Sequence, residues 1–99
     1  MPQSRMGKRK KIKGYVELVY SGEAPLELQG EDISTNGIAV IVPLEHRAVD
    51  KIRQYFQKVA TISHSRLSEP IPGVLHRVEK ISKNKLKWIY SFNRKAKNI

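Results

Sequence analysis

A polar turn that leads directly into an apolar strand is the feature that most constrains the fold of this chain. The turn reads Asp32-x-Ser34-x-x-Gly37, and residues 38–42 after it are all apolar. Asp and Ser side chains hydrogen-bond backbone or ligand atoms at turns. Gly supplies a positive φ, or room for a ligand beside the backbone. We therefore expect a central strand, buried on both faces, with fixed polar groups at its mouth.

Short strands and one helix are predicted for the rest of the chain. Period-2 alternation predicts further strands at residues 14–20, 26–29, 60–63, 73–81 and 86–92. Gly30 is expected to end the second of these strands. Apolar residues three and four apart over residues 45–59 predict an amphipathic helix of about three or four turns. Together these elements predict a small antiparallel barrel or sandwich, followed by a frayed basic tail at residues 93–99.

Composition limits the class of protein. The chain has 99 residues, which is enough for one domain, and no cysteine for disulfides or thiolate metal sites. No apolar run approaches the roughly 20 residues of a membrane helix, and the basic N-terminus lacks the apolar stretch of a signal peptide. We therefore expect a cytoplasmic protein without a membrane span. The spacing of His46, His64 and His76 does not suggest a metal site, and no residue pattern predicts catalysis.

Charge is distributed unevenly along the chain. Residues 1–13 carry +6, residues 14–46 carry −6 and residues 47–99 carry +10, so the net charge is +10. The basic N-terminal arm, residues 1–13, is expected to be mobile and to be attracted to the acidic first half of the domain, residues 14–99. The basic second half offers a positive surface to nucleic acid, anionic lipid or an acidic protein.

Two arginines of the arm, Arg5 and Arg9, are candidate ligand-binding residues. Residues four apart lie on the same side of a helix or of an extended strand. Their planar guanidinium groups match phosphate oxygens and the acceptor edge of guanine. By itself this spacing is typical of a solvated basic tail or of a simple nucleic-acid patch. The turn at residues 32–37 is by itself typical of an ordinary Asx turn.

Taken together, the two motifs resemble those of the PilZ domain, a bacterial receptor module for cyclic di-GMP. That family carries R-x-x-x-R in an N-terminal arm and D/N-x-S-x-x-G at a later strand edge. Here Arg5-Met6-Gly7-Lys8-Arg9 and Asp32-Ile33-Ser34-Thr35-Asn36-Gly37 match both in order. Residues 73–78 also look like the family's G-x-V-x-R strand, and residues 90–92 lie where its last strand ends in an aromatic residue.

The resemblance implies a six-stranded antiparallel Greek-key β-barrel (a split barrel) with a flexible arm and no catalytic activity. It implies that Arg5 and Arg9 bind the phosphates and guanine edges, that Asp32 and Ser34 hydrogen-bond guanine and the arm, and that Gly37 shapes the turn. No cofactor is implied besides the ligand cyclic di-GMP. Ligand binding would order the arm and so signal to a downstream protein. The helix over residues 45–59 departs from the short loop of many members.

Two alternatives to this function remain open from the sequence. One is a small basic barrel that binds RNA or DNA, which the net charge favours. The other is a PilZ-like adaptor that does not bind the nucleotide and contacts proteins through the helix at residues 45–59.

Overall fold

The computed structural model describes residues 8–97 and residue 99, and it is a closed β-barrel. Its strands are β1 (Lys10–Lys11), β2 (Tyr15–Tyr20), β3 (Leu26–Ile33), β4 (Gly37–Pro43), β5 (Val59–Ser63), β6 (Ile71–Ser82) and β7 (Lys85–Phe92). All pairs are antiparallel in the order β1-β3-β2-β5-β6-β7-β4, and pairing of β3 with β4 closes a six-stranded barrel. The predicted mainly β, six-stranded antiparallel barrel with one helix is confirmed, and β1 is an additional strand.

The strand directions place different loops at the two ends of the barrel. We call one the turn end; it carries the turn at residues 34–36, the loop at residues 64–70 and the C-terminal segment after β7. The opposite hairpin end carries the helix and the tip of the β6–β7 hairpin, residues 83–84. The two ends are therefore separated by the length of the barrel.

Buried aromatic residues fill the barrel. Trp88 and Tyr90 of β7 are fully buried, and β4 is buried at every position except Pro43. The hydroxyls of Tyr20 and Tyr90 are hydrogen-bonded to each other at 2.6 Å. Tyr55 stacks on Tyr20 with ring centroids 4.2 Å apart. Such pairs contribute stability beyond the area that they bury.

The helix is shorter than the predicted range of residues 45–59, because Val59 and the residues after it form strand β5. A 3-10 segment, Arg47–Lys51, continues into the α-helix α1 (Ile52–Tyr55), which makes nine helical residues. Tyr55 in the helix is buried. Val59 belongs to β5, where it pairs with Val74 of β6 and is 57% exposed. The helical segment packs across the hairpin end. Within the described residues, no helix is long and apolar enough to cross a membrane.

The prediction that Gly30 ends a strand is wrong, because β3 continues through it to Ile33. A register shift lies between Gly30 and Asp32 where β3 pairs with β4. A Cβ atom on Gly30 would lie 2.7 Å from the Cδ1 atom of Ile12, which is buried in the core. Gly30 therefore leaves room for the end of the Ile12 side chain and does not form a turn.

The C-terminal segment is packed against the barrel, so the predicted frayed tail is wrong for the described residues 93–97. Ala96 is only 7% exposed, and its N–H donates to the Thr35 carbonyl at 2.8 Å. The Phe92 N–H donates to the Asn36 carbonyl at 2.8 Å. These bonds place the segment directly on the turn at residues 34–36.

Candidate functional site

The last part of the basic arm is a strand that belongs to the barrel. Lys11 pairs with Asp32 in β1, and Tyr15 pairs with Gln29 in β2, so β1 and β2 follow one another along the same edge of β3. Gly14 joins them with a φ of 79°, a conformation that favours glycine. Ile12, two residues before Gly14, is buried. The predicted mobile arm of residues 1–13 therefore differs from the structure at residues 10–12, which are fixed against β3.

Arg9 and Asp32, one from each predicted motif, are in direct contact. Both Nε and Nη2 of Arg9 lie 2.6 Å from the Oδ1 atom of Asp32. The side chains are 34% and 13% exposed, so Asp32 is largely screened from water while Arg9 is still accessible. Hydrogen bonds between charged groups are stronger than neutral ones. Arg5 lies outside the described residues.

A second ion pair and a tail contact hold β1 in place. The Nζ atom of Lys11 lies 2.5 Å from the Oε2 atom of Glu31, and Lys10 donates to the Ile99 carbonyl oxygen at 3.1 Å. The hydrogen bond and charge of Glu31 raise the pKa of Lys11 above its usual value. None of these contacts was predicted individually, although the opposite charges of the basic arm and the acidic segment at residues 14–46 predicted that the two segments attract each other.

Ser34 lies where it stabilises the turn rather than where it faces solvent. It is fully buried, and its hydroxyl accepts a hydrogen bond from the Asn36 N–H at 3.2 Å. Its own N–H donates to the Gly37 carbonyl at 2.9 Å. The turn is thus residues 34–36, while Asp32 lies within β3 rather than at the mouth of a turn. Contact between Ser34 and a ligand remains a prediction.

Gly37 is required by strand packing and not by a positive φ. The described glycines with positive φ are Gly14 and Gly22. A Cβ atom on Gly37 would overlap the carbonyl oxygen of Tyr90 in the neighbouring strand β7. The space that the sequence suggested for a ligand is therefore filled by the backbone of the barrel.

The lysines next to Arg9 in sequence, Lys8, Lys10 and Lys11, are exposed. The loop at residues 64–70 is tied to the N-terminal segment by His64, whose Nε2 atom is hydrogen-bonded to the Lys13 carbonyl at 2.8 Å. Clefts of about 660 and 510 Å³ lie toward the hairpin end, beside Leu26 and Arg47, and are lined by neither Arg9 nor Asp32. The Arg9–Asp32 site is therefore a charged surface formed by two segments, suited to an anionic ligand.

The hydroxyl of Ser34 is expected to contribute about 1–2 kcal/mol to stability, because Ser34→Ala removes the buried hydrogen bond that this hydroxyl accepts from the Asn36 N–H. Ser82 is a matched control: its hydroxyl accepts from the Asn84 N–H two residues later, at 3.3 Å, but on an exposed hairpin tip. Ser82→Ala is expected to cost less than about 0.5 kcal/mol. Urea unfolding measures both changes, and equal losses would contradict a structural role specific to Ser34.

The comparisons with known proteins give no functional assignment for this site. The chain matches no protein-family model, no curated protein and no solved structure. Its interpretation therefore depends on the geometry of Arg9 and Asp32 and on the resemblance of the two motifs.

Proposed function

We propose that the protein is a non-catalytic receptor for cyclic di-GMP, which binds between the N-terminal arm and the D-x-S-x-x-G segment at residues 32–37. The observation that carries this proposal is the contact of Arg9 with Asp32 at 2.6 Å, across 23 residues of sequence. A basic tail without a specific site has no need for one arginine to be held against one carboxylate. A binding site formed by two segments does need such a contact, because its parts must be arranged before the ligand arrives.

The remaining donors and acceptors of this pair suit a guanine dinucleotide. Arginine has five N–H donors in a planar fork, and both contacts to Asp32 use the same carboxylate oxygen, Oδ1. The other donors of Arg9 can bind a phosphate or the N7 and O6 atoms of guanine. The second oxygen of Asp32 can accept from the N–H groups of guanine. Asp32 thus orients Arg9 and also contributes to recognition.

Signalling in this proposal uses the rest of the arm. Ligand phosphates bind Arg5 together with Arg9, and the arm is thereby ordered against the turn end. Ordering a segment creates or hides a surface for a downstream protein. A receptor for this second messenger operates in the cytoplasm.

The direct test is calorimetric titration with cyclic di-GMP of the wild type, Arg9→Ala and Arg53→Ala. We expect Arg9→Ala to weaken binding at least about tenfold, since a hydrogen bond to a charged group contributes roughly 1.5–3 kcal/mol. Arg53→Ala is the control, because it removes the same exposed side chain from α1 at the opposite end of the barrel. Equal affinities for wild type and Arg9→Ala would contradict the site.

The net charge of +10 favours a second candidate, a module for RNA or DNA. Non-specific polyanion binding depends on total charge and falls steeply with salt. It predicts that Arg9→Ala and Arg53→Ala weaken RNA binding alike and that Asp32→Asn strengthens it. The receptor proposal predicts that Asp32→Asn weakens cyclic di-GMP binding. If the wild type produces no heat with the dinucleotide, the protein-binding adaptor without nucleotide is favoured.

A further inference from the structure

We propose that the hairpin end is a peripheral binding surface for anionic lipid membranes. The surface consists of the β6–β7 hairpin tip and the residues that follow β4. It presents two exposed aliphatic side chains among exposed lysines, namely Leu44 and Ile81 with Lys80, Lys83 and Lys85. It lies at the opposite end of the barrel from Arg9 and Asp32, so it is independent of the proposed dinucleotide site.

The exposure of Ile81 is produced by the local backbone. A register shift between Lys80 and Ser82 leaves Ile81 without a partner residue in β7. Bulges of this kind re-aim a side chain out of its regular alternation. Ile81 is 47% exposed, and the outer half of β6, from His76 to Ser82, has no fully buried residue. The hairpin therefore extends beyond the barrel core with an aliphatic side chain near its tip.

Leu44 is held beside the same tip by a backbone hydrogen bond. Its N–H donates to the Asn84 carbonyl at 2.8 Å, and its side chain is 44% exposed. Pro43 before it pairs with Lys85 of β7. The two aliphatic residues thus come from separate segments that converge on one end of the molecule, on either side of β7.

The charges around these side chains are suited to an anionic surface. Lys80, Lys83 and Lys85 are exposed. The nearby acid Glu79 is neutralised by Arg77 and Lys87, which leaves Glu45 as the exposed acid next to Leu44. Lysines attract the surface of an anionic leaflet, and apolar side chains enter the boundary between headgroups and acyl chains.

Aliphatic tips distinguish a membrane from a nucleic acid as the partner. Nucleic-acid surfaces stack bases on aromatic side chains, whereas the two exposed apolar side chains of this surface, Leu44 and Ile81, are aliphatic. Leu44 and Ile81 have no aromatic ring that could stack on a base. Their apolar side chains can instead enter the boundary between lipid headgroups and acyl chains.

Sedimentation with sucrose-loaded vesicles tests the proposal. One vesicle preparation is phosphatidylcholine alone, and the other is an equimolar mixture with anionic phosphatidylglycerol. The wild type is expected to sediment with the mixture and not with phosphatidylcholine alone. The double variant Leu44→Ser/Ile81→Ser is expected to lower the partition coefficient at least about tenfold. Val74→Ser, which removes an exposed aliphatic side chain from the part of β6 that pairs with Ser91 near the turn end, is the control and is expected to change nothing.

Charge is tested by a second matched comparison. Lys80→Gln/Lys83→Gln is expected to weaken binding about fivefold per lysine. Lys95→Gln/Lys97→Gln removes the same charge from the turn end and is expected to have a much smaller effect. Equal sedimentation with both vesicle types, or no sedimentation with either, would overturn the proposal. It would also be overturned if Leu44→Ser/Ile81→Ser bound like the wild type, since the surface would then be a general polyanion site.

Discussion

Replacing Gly37 by alanine is expected to cost about 3 kcal/mol or more of folding free energy, or to prevent folding. The new Cβ atom would overlap the carbonyl oxygen of Tyr90. Gly37 cannot withdraw easily, because its own carbonyl accepts a hydrogen bond from the Ser34 N–H at 2.9 Å. On the other side of β7, a Cβ atom on Gly73 would lie 2.7 Å from the Ser91 carbonyl oxygen, so β7 is closely packed from both sides.

Gly22→Ala is the matched control for this substitution. Gly22 has a φ of 79°, but a Cβ atom there would have no heavy atom within 4 Å. Its replacement is expected to cost only about 1 kcal/mol, the usual cost of a positive φ for an L-residue. Urea unfolding followed by the fluorescence of the buried Trp88 measures both variants. If Gly37→Ala cost no more than Gly22→Ala, close packing of β4 and β7 would not be the reason for this glycine.

This steric role changes the interpretation of the D-x-S-x-x-G motif. Ser34 and Gly37 both act on the backbone, one by binding the Asn36 N–H and the other by admitting β7. Among the described residues of the two motifs, Arg9 and Asp32 therefore have the clearest geometry for ligand contact. A loss of ligand binding in Gly37 variants would report the loss of the barrel rather than of a ligand contact.

The strands and the Arg9–Asp32 contact could be predicted because their signals are local or electrostatic. Alternation shows which strand face is apolar, and the basic arm and the acidic segment at residues 14–46 attract each other because their charges are opposite. The role of Gly30 could not be predicted, since its reason is the side chain of Ile12 from a segment that looked like a solvated arm. The buried hydroxyl of Ser34 could not be predicted either, because burial depends on how the C-terminal segment packs on the turn.

The end of the helix shows a conflict between local pattern and topology. Phe56 and Val59 continue the spacing of an amphipathic helix, yet they are 43% and 57% exposed. Val59 must begin β5, because pairing of β5 with β2 and β6 closes the barrel. Formation of a strand in the centre of the sheet thus outweighs helix periodicity at the end of the segment.

Raising the pH above about 10 is expected to destabilise the protein steeply, because two tyrosines are buried in their neutral form. Burial raises the pKa of Tyr20 from 10.0 to about 12, and burial raises the pKa of Tyr90 as well. Below pH 10 both states keep these protons, so the stabilisation is fully present. Above pH 10 the unfolded chain releases protons that the folded chain retains. The free energy of unfolding therefore falls by up to about 1.4 kcal/mol per pH unit for each tyrosine.

Urea unfolding between about pH 8 and about pH 12 tests this dependence, with the double variant Tyr20→Phe/Tyr90→Phe as the comparison. Both hydroxyls are removed together, because they bond each other at 2.6 Å and either one alone would remain buried without this partner. Deprotonation of surface lysines is common to both proteins and cancels in the comparison. We expect the double variant to lose much less stability above pH 10 than the wild type. If the wild type and the double variant lost stability equally above pH 10, the alkaline sensitivity would lie elsewhere in the protein, which would contradict the assignment to this buried pair.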